Sequence, residues 1–156
     1  MILARNYTVV WGIGKHEDEL VAFDYALKNA GIHKFNLVPV SSIIPTEAEF
    51  RPKSELKEIP EGTIMHVVIS KINAKKDNVD ISAGLAIVSD KITREKIVCE
   101  CSGEMEKSEC RSILCKRVKY IADNHDLVSY KTQFEVISAK TSKDYYTCIV
   151  VAVCLW

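Results

Sequence analysis

Two adjacent hydroxyls, Ser41 and Ser42, interrupt the apolar run NLVPVSSIIP at residues 36–45. Such a pair can bond to nearby backbone and stabilise a turn, or cap a short segment opening at Ile43. It can also do covalent chemistry. The hydroxyl of Ser42 can attack the carbonyl carbon of Ser41 and convert the amide to an ester. That reaction needs help, because serine is a weak nucleophile and the amide is resonance-stabilised. The fold must bend the peptide, which stores on the order of a few kcal/mol. It must also aim a donor at the developing oxyanion, an interaction typically worth about 3 kcal/mol. Pro39 and Val40 before the pair, and Ile43 and Ile44 after it, are stiff residues able to clamp such a turn. On the dipeptide alone, the turn is the simpler reading.

Three further polar residues stand where chemistry could use them. Asn36 opens the same run and carries an amide donor. Glu100 lies beside Val98 and Cys99, and an apolar setting of that kind raises a carboxyl toward the range where it can donate a proton at neutral pH. The alternative is a solvated glutamate at a strand end. Asp24 follows Phe23 in a helical stretch and shares a sector with Leu20 and Leu27, at the rim of the apolar face. The alternative there is an ordinary boundary charge.

The six cysteines are Cys99, Cys101, Cys110, Cys115, Cys148 and Cys154. No Cys-x-x-Cys occurs and the four histidines are scattered. This spacing argues against zinc, and no metal is expected. Without a secretory signal the thiols are expected to be free. WGIG at 11–14 lacks the spacing of a dinucleotide fingerprint.

The elements that must position these residues follow from periodicity. The 156 residues fit one domain, 47% apolar and 27% charged. Acidic and basic side chains balance at 21 each, so no net field draws in nucleic acid or an anionic membrane. A neutral balance also leaves self-association open. No segment reads as a signal peptide and no apolar run reaches transmembrane length. A cytoplasmic protein is expected. Strands are predicted at 6–12, 34–40, 63–73, 79–90, 96–103, 129–137 and 145–155. Pro39 implies an edge or a strand end. Helices are predicted over 15–31 and 104–123. The first turns Leu20, Phe23, Leu27 and Ala30 inward and ends at Gly31. The second is capped by Ser102 and buries Cys110, Ile113, Leu114, Val118 and Ile121. Residues 44–62 read as a surface loop. The strand at 79–90 sets Ile81, Ala83, Leu85 and Ile87 on one face. Its other face carries Ser82, Gly84 and Ala86, small enough for another layer to approach closely. The order gives an α+β fold with a mostly antiparallel sheet set.

The stretch FDYALKNAGIHKFNLVPVSSIIP resembles the processing region of the pyruvoyl-dependent arginine decarboxylases. It carries Asp24, Asn29-Ala30-Gly31-Ile32, Asn36-Leu37, Ser41-Ser42-Ile43 and Pro45. Weaker similarity continues through TEAE at 46–49, ISAGLAI at 81–87, ECSG at 100–103 and the terminal LW. The resemblance implies a four-layer α/β/β/α sandwich with mostly antiparallel sheets and one helix layer on each side. It implies self-cleavage between Ser41 and Ser42 into a β chain (1–41) and an α chain (42–156). The ester would undergo β-elimination, and residue 42 would become a covalent pyruvoyl group, an electron sink for decarboxylation. Ser42 is then nucleophile and cofactor precursor, Asn36 supports the oxyanion, Glu100 donates a proton and Asp24 binds the guanidinium end of the substrate. The implied reaction is L-arginine to agmatine and CO2, feeding polyamine synthesis. The implied assembly is a homotrimer with sites at protomer boundaries, with pairing of trimers left open. Decarboxylation of S-adenosylmethionine or another amino acid, or an uncleaved non-catalytic paralogue serving as a subunit or binding module, are the alternatives. The AKKDN turn at 74–78 and the cysteines flanking Glu100 depart from the family pattern and bear on substrate choice.

Overall fold

A computed structural model describes residues 3–156. The elements run β1 (Asn6–His16), α1 (Glu19–Ala30), β2 (Asn36–Pro39), β3 (Ile43–Ile44), β4 (Glu49–Phe50), a 3-10 helix (Lys53–Glu58) and β5 (Ile64–Ala74). They continue through β6 (Asp80–Asp90), β7 (Lys96–Gly103), α2 (Lys107–Asn124), β8 (Tyr130–Lys140) and β9 (Tyr146–Leu155). Two sheets form. One has the order β2-β5-β9-β1-β4, the other β3-β7-β6-β8. Among the described residues, only the β2–β5 and β1–β4 pairs are parallel. The helices pack on the two outer faces, α1 on β1 and β9, α2 on β6, β7 and β8. This is the α/β/β/α layering, and the α+β class is as expected.

Strand alternation builds the central layer. Ile81, Ala83, Leu85 and Ile87 of β6 face Ile149, Val151, Val153 and Leu155 of β9 across the sheets. Each of the valines, leucines and isoleucines among them, fully buried, contributes roughly 1.5–3 kcal/mol. The intervening β9 residues, Cys148, Val150, Ala152 and Cys154, face outward and are covered by the α1 side. On β6, Ala86 instead faces α2, together with Cys99 and Cys101 of β7. The small-residue face of β6 does receive the second helix.

Helix α1 buries Ala30 and packs Phe23 and Leu27 against the core as expected, and departs from expectation at Leu20. Its fully buried residues are Ala22, Ala26 and Ala30, whereas Leu20 is 74% exposed. The cause lies in β1. A methyl built on Gly12 or Gly14 would overlap α1 backbone atoms of Ala22, Ala26 and Ala30. Two glycines and three alanines let helix and strand touch backbone to backbone, so the alanine stripe, not the leucine, points inward. This is what WGIG is for in the fold. Asp18 caps the helix, accepting from the Val21 amide at 3.0 Å, and Gly31 closes it in the left-handed conformation at φ 83°.

Other boundaries shift. Glu106, not Ser102, is the N-cap of α2, because β7 continues to Gly103. The surface loop at 44–62 holds β4 and the 3-10 helix, and it buries Ile44, Ala48 and Leu56. β2 is an edge strand ending at Pro39, as its proline demands. No described helix is long and apolar enough to cross a membrane.

Candidate active site

Between β2 and β3 the chain leaves one sheet and enters the other. Ser41 and Ser42 make that crossing. Three backbone hydrogen bonds fix it. The Val40 amide donates to the Val67 carbonyl at 2.9 Å, which holds the upstream side to β5. The Val98 amide donates to the Ser42 carbonyl at 2.8 Å, which holds the downstream side to β7. Between them, the Ile43 amide donates to the Ser41 carbonyl at 2.9 Å. That last bond spans two residues, the pattern of a γ-turn centred on Ser42. None of residues 40–43 lies in the left-handed region. The bend that the chemistry requires is therefore a hydrogen-bonded turn between two anchored ends.

Ile43 N–H thus points at the carbonyl oxygen that would carry negative charge if Ser42 attacked. A backbone donor has no sequence signature, so the sequence missed it. Asn36 is placed differently. Its side-chain amide donates to the Gly62 carbonyl at 2.8 Å. It opens β2, and that strand alone separates it from Pro39 by roughly 10 Å. Within one chain Asn36 and the Ser41 carbonyl are not brought together.

Glu100 is brought close. Extending the Ile43–Ile97 register puts Ser42 opposite Val98, two residues from Glu100 on β7. Alternation gives Glu100 the same face as Val98, which is buried in the layer between the sheets. The carboxylate stands roughly 7 Å along the strand from Val98. Its surroundings differ from expectation. Cys99 and Cys101 lie on the opposite face of β7, packed against α2, and Glu100 itself is exposed. Arg117 of α2 donates to the Glu100 main-chain carbonyl. Burial pushes the Cys99 thiol up to about 11, with the Glu100 charge adding to it.

Asp24 lies elsewhere. It is exposed on α1, beyond the outer face of the first sheet. Sheet and helix both stand between Asp24 and Ser42 in one chain. The Ser41–Ser42 junction instead opens on a cavity of about 310 Å3, lined by Ser41, Ile43, Val40, Pro45, His66 and Leu155 among others. His66 went unnoticed in the sequence because a lone histidine on a strand has no telling spacing.

A residue-42 pyruvoyl group is compatible with this geometry. The site is half-buried, it borders a cavity, and its carbonyl is already held by an amide. The fold and the junction define a two-sheet α+β sandwich built around a hydroxyl-bearing peptide bond that is anchored on both sides. The profile of the pyruvoyl-dependent arginine decarboxylase family matches residues 6–156, and the chain belongs to that family. A pyruvoyl-dependent arginine decarboxylase of Archaeoglobus fulgidus is 39% identical over 106 residues, covering 66% of this chain and 67% of that protein. One from Methanosarcina acetivorans is 37% identical over 92 residues, covering 57% and 56%. One from Methanocella arvoryzae is 42% identical over 84 residues, covering 52% and 51%. The aligned part thus spans about half to two thirds of the length of these curated relatives. The family is one of carboxy-lyases that depend on a covalently bound pyruvoyl group.

Proposed function

We propose that this chain cleaves itself between Ser41 and Ser42 and decarboxylates L-arginine to agmatine and CO2. The fragments are 1–41 and 42–156. The observation that carries the reading is the junction itself: the Ser41 carbonyl takes the Ile43 amide and the Ser42 carbonyl takes the Val98 amide, on the strand that bears Glu100. The first bond polarises the carbonyl that Ser42 attacks. When present, a pyruvoyl group at residue 42 supplies an electron sink for loss of CO2. The Val98 N–H then holds the residue-42 carbonyl oxygen and favours negative charge there. Glu100 offers a proton from a carboxyl on the same strand face.

Asp24 would hold the guanidinium through a planar, two-point carboxylate pair. Because α1 and a sheet separate it from Ser42 in one chain, it serves a neighbouring copy's site. Asn36, held roughly 10 Å from Pro39 along β2 with its amide on the Gly62 carbonyl, would likewise support the oxyanion of a neighbouring copy. A closed ring of copies satisfies this, and a homotrimer, whether or not trimers pair, is the assembly we propose. A second copy would also cover Glu100, giving the proton donor the burial it lacks alone. The test is denaturing mass spectrometry followed by CO2 release from arginine and from S-adenosylmethionine. Two fragments meeting at 41/42, the larger with a keto end, and release from arginine are expected. A single intact chain would overturn the proposal, and release only from another amino acid would overturn its substrate.

A further inference from the structure

Cleavage at the junction creates a charge that the intact chain does not have. Ser42 Oγ attacks the Ser41 carbonyl carbon, and the Ser41–Ser42 C–N bond breaks as the ester forms. In β-elimination the Ser42 α-proton is removed and the Cβ–Oγ bond breaks. The oxygen leaves on Ser41, which becomes a carboxylate. Residue 42 becomes dehydroalanine, which adds water and loses ammonia to give the keto end. The new carboxylate begins life exposed, at the edge of the cavity that Ser41 lines with Val40, Ile43, Pro45, His66 and Leu155. A cation on that wall can hold it there.

His66 carries the only ionisable side chain among the described residues lining that cavity. Its direction follows from β5. Val68 and Ser70 turn toward the second sheet, Val68 into the central layer and Ser70 onto the Cys101 carbonyl at 2.8 Å. His66 shares their parity and so their face. It pairs with Val38 on one side and Leu155 on the other. Val40, two residues after Val38, packs against the same central layer just before the chain crosses. β2 and β9 bring no charged side chain against it, and the Trp156 main-chain oxygen at the end of β9 is taken by the Arg5 and Asn6 amides at 2.8 Å.

Resting on the reading that the chain cleaves, we infer that His66 is the counter-ion of the Ser41 carboxylate and anchors the end of the N-terminal fragment. It is a positioning residue. It keeps the severed end at the mouth of the cavity, beside residue 42. Charge-assisted hydrogen bonds of this kind are among the strong ones.

The experiment is carboxypeptidase trimming of the native, processed protein, read as the mass of each fragment. The Trp156 end of the larger fragment is the internal control. His66→Gln is expected to expose Ser41 and Val40 to trimming roughly two- to fivefold faster, while His66→Lys keeps the end protected. Equal trimming in wild type and His66→Gln, or failure of His66→Lys to protect, overturns the inference. A Ser42→Ala/His66→Gln double variant, which cannot be cut, shows whether the neutral side chain folds. His66→Leu replaces it if not. A wild-type chain that never cleaves overturns the reading on which the inference rests, and its single intact mass distinguishes that outcome from a cleaved chain with an unprotected end.

Discussion

The Val98 amide donates to the Ser42 carbonyl at 2.8 Å, and Val98 stands two residues from Glu100 on β7. One hydrogen bond therefore ties the Ser41–Ser42 junction to the strand bearing the proposed acid, although Ser42 and Glu100 are 58 positions apart in sequence. The upstream half of the junction belongs to the other sheet through Val40 and Val67. Cutting between Ser41 and Ser42 would release the two halves into separate sheets without breaking either anchor.

Ser42→Ala removes the hydroxyl and leaves the three anchoring amides in place. It should fold and remain a single chain, while wild type yields two. Intact mass under denaturing conditions measures this. Fragmentation of the alanine variant at the same bond would show that the Ser42 hydroxyl is not the attacking group.

Glu100→Gln keeps the strand and the Arg117 contact, which goes to the main chain. Processing should be spared, because the donor at the Ser41 carbonyl is the Ile43 amide. Turnover should fall by roughly 10²-fold or more, the usual worth of a positioned acid. Single-turnover and steady-state assays on the processed variant decide it, and normal kcat would remove Glu100 from the role of proton donor.

Asp24→Ala and Glu100→Gln should rescue each other if a site draws on two copies. Each variant alone is expected to be nearly inactive. Copies mixed in equal amounts by unfolding and reassembly should regain about a quarter of wild-type sites, by random pairing in a closed ring. Activity that stays at the level of the separate variants would place both carboxylates in the same copy's site or neither in any.

The contact of β1 with α1 admits no side chain at Gly12 or Gly14. Gly14→Ala should therefore destabilise by about 1–3 kcal/mol, the usual cost of overpacking. The clash is with helix backbone, which has no rotamer to change. Urea unfolding of the uncleavable Ser42→Ala background measures it without interference from processing. An unchanged midpoint would mean that α1 rides higher on the sheet than the structure shows.

These residues also show what the sequence could and could not reveal. Strand positions, the edge character of β2 and the two-faced β6 follow from local pattern, since alternation and proline act over a few residues. Leu20 was misplaced because the centre of the buried face of α1 is set by Gly12 and Gly14 on β1, 8 to 18 positions before the alanines they meet, not by the hydrophobicity of α1 itself. Ser102 looked like a cap because a strand can run past the point where propensity favours a helix. The serines, Asn36, Glu100 and Asp24 were singled out through resemblance. The amides of Ile43 and Val98 were not, because every residue has one. Nor could any local pattern tell that Asp24 and Asn36 lie away from Ser42, since that follows from how sheets and helices are layered.

The buried thiols make the fold sensitive to alkali. Burial pushes Cys154 and Cys110 up to about 12 and Cys148 up to about 11, with the neighbouring Cys101 adding to the effect at Cys110. The sign follows from the proton count. Below the ordinary thiol value of about 9 both folded and unfolded chains hold the protons, and the contribution to stability is complete. Above it the unfolded chain ionises while the folded one does not, so stability falls until pH passes the folded value. Cys154, the most buried, should account for roughly 1.4 kcal/mol per pH unit within that window. Urea midpoints measured between about pH 8 and pH 11 should decline, and Cys154→Val should flatten the decline by that share. The same burial predicts that, of the six cysteines, only half-buried Cys115 reacts quickly with a thiol reagent in the native protein. A slope unaltered by Cys154→Val, or rapid labelling of several thiols before unfolding, would show that the outer face of β9 is open to water and that α1 does not seal it.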